Sequence, residues 1–191
     1  MVDVTPKEVT HRRAIARGRV YMTPETSTLV ARGAISKGDV LAVARVAGIQ
    51  AAKRAPDLIP LCHPLLVGSV FVNFRIEDRF IEVEAQVETV DRTGVEMEAL
   101  TAATVAALTI YDMCKSSDRS MVIGDIALWE KTGGRSGVYR RDPLEPLGSD
   151  ALSGDFDGSL VVGLGDDLDD DLGSEGSELG DDELTDDDLT D

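Results

Sequence analysis

The sequence predicts an α+β fold in which helices pack on one face of an antiparallel sheet. Two segments alternate apolar and polar residues with a period of two, and the short turn sequence Asp78-Arg79 between them predicts an antiparallel hairpin. Three other segments carry helix-start signals, helical spacing or a helix-favouring composition. Because helices and strands interleave along the chain, we expect a layer of helices on a layer of sheet.

The first part of the chain is predicted to hold one short strand and two helices. The strand covers Arg19–Met22. Thr23 followed by Pro24 is a typical helix start, and we expect this helix to stop at Gly33. A second helix is predicted from Gly38 to about Lys53, because its apolar residues fall on one helical face: Val40, Val43, Ala44, Ala47 and Ala51.

The second part begins with a segment that cannot be a regular helix, since two prolines lie four residues apart in 57–64. Residues 66–76 alternate and predict a strand. Residues 81–88 alternate again, with glutamates on the opposite face, and predict its hairpin partner. The stretch 94–117 is rich in Ala, Leu, Met and Glu and predicts the longest helix. Residues 121–131 again have the pattern of an extended segment.

Charge divides the 191-residue chain into two parts. Residues 1–142 contain all 19 basic residues and 18 of the 36 acidic ones, so their net charge is +1. Residues 143–191 contain the other 18 acidic residues and no basic one, a net charge of −18. Such a segment cannot bury enough apolar surface to offset its chain entropy. We therefore expect a folded domain over 1–142 and a disordered acidic tail over 143–191.

Composition excludes several classes of protein. The sequence has no apolar run long enough to span a membrane, and its N-terminal stretch lacks the hydrophobic core of a secretory signal. Cys62 and Cys114 cannot build a disulfide framework or a CxxC zinc site, so a reducing, cytoplasmic setting is expected. A nearly neutral domain joined to a polyanion is a poor nucleic-acid binder. A local basic pocket for one small anion remains possible.

Three local features could carry chemistry, and each has an ordinary structural alternative. His63 lies in a stiff loop between prolines, which suits a site but also suits a buried connector. Glu96 and Glu98 lie in the first turn of the long helix, where the helix dipole favours their charged form. Asp112 and Lys115 are three residues apart and share a helical face, either as a proton-transfer pair or as a surface ion pair.

Two glycine-containing segments complete the set of candidates. Lys37 precedes Gly38 just before the second predicted helix. Lys131 opens the loop 131–137, whose glycines and cations could hold phosphate. This loop does not have the order of a P-loop, so alone it is weak evidence. Motifs typical of zinc proteases, α/β hydrolases and dinucleotide-binding folds are absent from the sequence.

Together, six segments resemble the molybdenum cofactor biosynthesis protein C family, the cyclic pyranopterin monophosphate synthases. The resemblance covers roughly 1–142, and the tail has no counterpart in the usual family pattern. The segments that carry it are MVDV at 1–4, KGD at 37–39, AGIQAAK at 47–53, LIPLCHPL at 58–65, GVEMEALTA at 94–102 and ALTIYDMCK at 107–115.

The resemblance implies a ferredoxin-like α+β fold and a homohexamer, a trimer of dimers, with pockets at subunit interfaces. It implies a lyase that converts (8S)-3',8-cyclo-7,8-dihydroguanosine 5'-triphosphate to cyclic pyranopterin monophosphate with release of diphosphate. No metal or organic cofactor is expected, and the partners are the small-molecule substrate and other copies of the chain, not nucleic acid or membrane.

The resemblance also assigns residues by their place in the matching segments. The residues that it implies are catalytic are Asp112, Lys115, Lys37 and Lys131. Those that it implies bind substrate are Leu61, Cys62, His63, Glu96, Met97, Glu98, Lys53, Asp3, Lys7 and Arg12. One departure is Arg135, where the family often has lysine; the charge is kept but its geometry differs.

Two other hypotheses remain open at this point. The chain could be a relative that binds a nucleotide or pterin without turning it over, although a degenerate relative would be expected to lose some of these residues. The tail could serve separately as an interaction or halotolerance element, because a strongly acidic surface helps a protein to stay dissolved at high salt.

Overall fold

The computed structural model of the protein describes residues 1–142, and the predicted acidic tail lies outside them. Nine elements follow one another along this part of the chain, and they confirm the predicted α+β class. They are β1 (Thr10–Tyr21), α1 (Pro24–Ala31), α2 (Val40–Ala52), α3 (Ala55–Leu58), β2 (Ser69–Ile76), β3 (Phe80–Asp91), α4 (Glu96–Cys114), β4 (Val122–Thr132) and β5 (Tyr139–Arg140).

The strands form one sheet in the order β2-β3-β1-β4-β5, and every neighbouring pair is antiparallel. The first four strands, with α2 and α4 as the connecting helices, follow the β-α-β-β-α-β order of a ferredoxin-like fold. The two-residue β5 extends the β4 edge. The hairpin predicted around Asp78-Arg79 is confirmed, since the Glu77 amide donates a hydrogen bond to the Phe80 carbonyl across the turn, at 2.9 Å.

Strand β1 is the central strand and is much longer than the four residues predicted. Ala14, Ala16 and Val20 are fully buried in the core. On alternate positions, Arg17 lies directly opposite Glu84 of β3, and its Nη2 is 2.7 Å from Glu84 Oε2. The short prediction was wrong because the segment alternates arginine with alanine and glycine, so its buried side carries little hydrophobic signal.

The helix starts predicted at Thr23 and near Gly38 are both confirmed, by α1 and α2 respectively. The Thr23 side chain accepts a hydrogen bond from the Thr26 amide, and Asp39 accepts one from the Ala42 amide. Gly48 allows α2 to approach α4 closely, because a Cβ there would lie 3.0 Å from the Ala102 carbonyl oxygen. The two helices therefore pack tightly, and the core under α4 is built mostly from alanine and valine.

The segment with two prolines behaves as predicted. Only the single turn α3 forms, ending at Leu58, and residues 59–68 contain no helix or strand. Pro64 and its neighbours instead carry the chain across to β2. In the described part of the chain, no helix is both long enough and apolar enough to cross a membrane.

The domain boundary predicted near residue 142 leads to our first testable prediction. Deleting 143–191 should leave folding, assembly and turnover nearly intact, because every candidate site residue lies within 1–142. Apparent KM for an anionic substrate should be equal or slightly lower, and the difference should shrink as salt rises, since the screening length is about 8 Å at physiological salt. Thermal melting, native mass spectrometry and steady-state kinetics would measure this. Loss of the oligomer or of turnover in moderate salt would contradict the boundary.

Candidate functional site

One group of candidate residues forms a cluster at the C-terminal end of α4, which we call the lysine–aspartate cluster (Lys37, Asp112 and Lys115). Lys115 Nζ is 2.7 Å from Asp112 Oδ1, and Lys37 Nζ is 2.8 Å from Asp112 Oδ2. Lys37 also donates to the Asp112 backbone carbonyl at 2.8 Å. One carboxylate therefore bridges two ammonium groups, and the second lysine comes from the loop that leads into α2.

The electrostatics of this cluster keep Asp112 ionised. Hydrogen bonds from Lys115 and then from Lys37 lower the pKa of Asp112 to about 2. Asp112 is therefore an acceptor and orienting group at neutral pH, not a proton donor. The three side chains are 42% to 57% exposed, so both ammonium groups remain open to a ligand.

A second group lines a cavity of about 650 Å³ at the other end of α4, which we call the cationic cavity. It lies where the N-terminal segment, the start of β1, the turn before α4 and the loop after β4 meet. Six cationic residues line it, together with two carboxylates. They are Lys7, Arg12, Arg13, Arg92, Lys131 and Arg135, with Glu8 and Glu96.

Glycines in the 131–137 loop let the backbone come close to Arg12. Gly133 and Gly134 have φ values of +93° and +73°, a region that favours glycine. A Cβ at Gly134 would also collide with the Arg12 guanidinium, and one at Gly133 would collide with the His11 carbonyl. The loop thus folds over Arg12, and Lys131 Nζ hydrogen-bonds Ser136 Oγ within it.

Arg12 is held in place by backbone carbonyls. Its Nε donates to the Asp91 carbonyl at 3.2 Å, and its Nη2 donates to the Arg92 carbonyl at 3.1 Å. These bonds fix the direction of the guanidinium, and within residues 1–142 Arg12 forms no ion pair with a carboxylate. A fixed guanidinium beside a lysine is a suitable arrangement for binding phosphate groups.

A third, smaller group joins the first turn of α4 to the loop before β2. Cys62 Sγ donates a hydrogen bond to Glu98 Oε1 at 3.4 Å. Glu98 is 1% exposed, and burial raises its pKa. Burial therefore acts against the charged form that the helix dipole favours, and burial has the larger effect on the pKa of Glu98.

The other predicted residues lie around these groups. The Asp3 carboxylate accepts a hydrogen bond from the Thr5 amide, which lowers the pKa of Asp3. A weaker electrostatic interaction with His63 acts in the same direction. Leu61 is 70% exposed and Met97 is 36% exposed, so both apolar side chains face solvent in the isolated chain. Lys53 is the exposed C-cap of α2 and does not line the cationic cavity.

A single chain does not bring all of these residues together. Glu96 begins α4 and lines the cationic cavity, whereas Asp112 lies 16 residues later. At 1.5 Å per residue, this separates the two groups by about 24 Å along the helix axis. The cationic cavity and the lysine–aspartate cluster are therefore separate groups within one chain.

Sequence reasoning did not identify Arg13 and Arg92 as cavity residues. Arg13 is also paired with Glu130, at 2.8 Å, so it contributes less free charge than Arg12. Arg92 lies in the short connection between β3 and α4, near the predicted site residue Glu96. This position in the sequence could have indicated that Arg92 lines the cavity. Within residues 1–142, no three His, Cys, Asp or Glu side chains are grouped in a way that could hold a metal ion.

Comparison with known proteins agrees with the family resemblance of the sequence segments. The MoaC family model matches residues 1–134. A protein of Thermomicrobium roseum named cyclic pyranopterin monophosphate synthase is 63% identical over 147 residues, covering 76% of this chain and 89% of that protein. A protein of the same name from Pelotomaculum thermopropionicum is 59% identical over 74% of this chain and 84% of its own length. Cyclic pyranopterin monophosphate synthase 3 of Mycobacterium bovis is 57% identical over 80% of this chain and 87% of its own length.

Proposed function

The chain belongs to the MoaC family, and we propose that it works as a cyclic pyranopterin monophosphate synthase, a lyase of molybdenum cofactor biosynthesis. Its substrate would be (8S)-3',8-cyclo-7,8-dihydroguanosine 5'-triphosphate, and its products cyclic pyranopterin monophosphate and diphosphate. The observation that carries this proposal is the pairing of a cavity lined by six cationic residues with a separate Lys-Asp-Lys cluster.

The cationic cavity suits the triphosphate. A leaving diphosphate develops charge that preorganised cations stabilise, and this stabilisation is worth most when the donors are already in place. Arg12 is held by backbone carbonyls, and Lys131 lies on the loop beside it. We assign Lys131, and Lys37 from the lysine–aspartate cluster, to stabilising or protonating phosphate oxygens.

The lysine–aspartate cluster suits proton transfer. Ring opening, ring rebuilding and closure of a cyclic phosphate each move protons, so the reaction needs at least one acid and one base. We assign Lys115 as the principal proton-transfer group. Asp112 stays ionised, holds both ammonium groups and sets their positions, so we assign it an orienting role.

We further propose that each active site is shared between two copies of the chain. One copy would supply the cationic cavity and its neighbour the lysine–aspartate cluster, because the two groups are about 24 Å apart on one helix. Exposed apolar side chains on the helical layer, including Val43, Val46 and Leu108, support burial against another copy. A homohexamer built as a trimer of dimers would provide such shared sites.

The function is tested by incubating the purified protein with the cyclised GTP derivative. We expect stoichiometric release of diphosphate and formation of the cyclic product, measured by a coupled diphosphate assay and mass spectrometry. A protein that only binds would give a saturable calorimetric titration with no diphosphate. That outcome would support the binding-protein alternative and overturn the proposal.

Metal removal gives the second prediction. Turnover should be unchanged after dialysis against EDTA, because the described residues offer no grouped metal-ligating side chains and the chemistry assigned here uses lysines. Initial rates before and after dialysis, with metal content measured in parallel, would check this. A loss of activity that one particular metal ion restores would contradict it.

A further inference from the structure

Asp118 is a buried carboxylate that lies just beyond the end of α4, three residues after Lys115, and it is 7% exposed. Three neutral donors meet its two oxygens. The Thr23 amide donates to Oδ2 at 2.9 Å, and the amide and hydroxyl of Ser120 donate to Oδ1 at 2.9 and 2.6 Å. Hydrogen bonds from the Ser120 side chain and then from the Thr23 amide lower the pKa of Asp118, so the carboxylate is ionised at neutral pH.

The turn from Lys115 to Asp118 closes the C-terminal end of α4. Cys114 is the last residue of the helix and is fully buried. Its carbonyl accepts the amides of Ser117, at 2.8 Å, and of Asp118, at 3.1 Å. The last carbonyls of a helix need such partners, because they have none inside the helix. Asp118 therefore holds the far end of the turn that begins with Lys115.

The other side of this contact belongs to α1. Thr23 caps α1 with its side chain and donates its backbone amide to Asp118. The helix is also anchored to the sheet, because Ser27 Oγ donates to a backbone carbonyl of the β2–β3 turn at 2.6 Å. Beyond the end of α1, the chain passes through the buried Ile35 and then presents Lys37. Asp118 therefore joins the segment that carries Lys115 to the one that leads to Lys37.

We propose that Asp118 is a positioning residue, which docks the end of α4 on the start of α1 and so sets Lys115 relative to Lys37 in the lysine–aspartate cluster. The ion pairs of the cluster are themselves exposed, and exposed ion pairs contribute little to stability. They cannot fix two chain segments, whereas a buried carboxylate with three donors can. The catalytic part of this inference rests on the proposed function; the docking contact does not.

Hydrogen exchange of the full-length protein tests the docking contact without substrate. Asp118→Ala should speed exchange of the Thr23 amide by about tenfold or more, because this amide loses its acceptor. Ser120→Ala is the matched control. It removes one donor and leaves both carboxylate oxygens in place, so the Thr23 amide should exchange within about threefold of the wild-type rate. An unchanged Thr23 amide in Asp118→Ala would overturn the contact.

A pair of Thr23 variants keeps the proposal testable even if Asp118→Ala does not fold. Thr23 has a φ of −71° and a ψ of 153°, which proline can also adopt. Thr23→Pro and Thr23→Ala both lose the side-chain cap of α1, but only the proline variant loses the amide that donates to Asp118. The difference between the two variants therefore isolates this one hydrogen bond.

The reactivity of lysine side chains reports on the cluster, again without substrate. An ammonium group held against a carboxylate acylates more slowly than a free one, because the negative charge favours the protonated, unreactive form. With limiting acetic anhydride, Lys115 should acylate about threefold faster or more in Thr23→Pro than in Thr23→Ala. Peptide mass spectrometry would measure this, with Lys53 at the end of α2 as internal reference. Equal reactivity in two folded variants would mean that the bond only stabilises the fold, and would overturn the positioning role.

Turnover then tests the catalytic part. The kcat of Thr23→Pro should fall about tenfold or more below that of Thr23→Ala, with KM values within about threefold, because the cationic cavity at the other end of α4 is untouched. Equal kcat values, or a change in KM alone, would contradict the positioning role. If the wild type itself shows no turnover, the proposed function fails, and the exchange and acylation measurements still decide whether Asp118 positions the cluster.

Discussion

Replacing Lys115 with alanine should lower turnover by about two to four orders of magnitude, as is usual when a general acid–base group is lost. Lys115 Nζ lies 2.7 Å from Asp112 Oδ1, so its ammonium group is held at one point of the lysine–aspartate cluster. The fold and assembly should survive, because both side chains are more than half exposed and exposed ion pairs contribute little to stability. Steady-state kinetics and thermal melting of the purified variant would measure the two effects.

Two matched variants separate proton transfer from charge. Lys115→Arg keeps the positive charge but holds its proton at any physiological pH, so it should be impaired almost as strongly as the alanine variant. Arg119→Ala removes an exposed cation four residues further along the chain and should retain wild-type rates. A Lys115→Ala enzyme that keeps more than about a third of the wild-type rate would contradict the assignment. A fully active Lys115→Arg enzyme would reduce the role of Lys115 to electrostatics.

The fold was largely predictable where local signals were strong. The hairpin, the two capped helices and the long helix each carry a period or a cap that depends on neighbouring residues only. Strand β1 was shortened in the prediction because Ala14 and Ala16 are too small to mark a buried face. What makes it central is pairing with β3 and β4, which are distant in sequence, and no local pattern reports that.

The candidate site was predictable in parts for the same reason. The spacing of Asp112 and Lys115 indicates one helical face, and their contact follows from it. Lys37 joins them from 75 residues away, which only the family resemblance suggested. The burial of Glu98 was not predicted, although a signal for it existed. It is spaced at helical intervals with Ala102, Ala106 and Ile110, all fully buried, so its side chain belongs to the buried face.

Sharing of the active site between copies predicts complementation between two inactive variants. Arg12→Ala damages only the cationic cavity, and Lys115→Ala damages only the lysine–aspartate cluster. In a mixed oligomer, some sites combine the intact cavity of one subunit with the intact cluster of its neighbour. With equal amounts and random assembly, about a quarter of sites should be intact, so activity should approach about a quarter of wild type.

The matched control combines two variants that both damage the cationic cavity. Arg12→Ala mixed with Lys131→Ala should give no recovery, because in either variant the cationic cavity is damaged. Native mass spectrometry of differently tagged subunits would verify mixing in both experiments. This control also excludes simple stabilisation of one variant by the other as the source of activity.

The turnover of verified Arg12→Ala and Lys115→Ala mixed oligomers is the most direct measurement of whether two chains build one active site. The shared site predicts recovery to about a quarter of the wild-type rate, from two parents that are each nearly inactive. No recovery in oligomers that demonstrably contain both subunits would mean that the cationic cavity and the lysine–aspartate cluster of one chain serve the same site, despite their separation along α4, and would contradict the account.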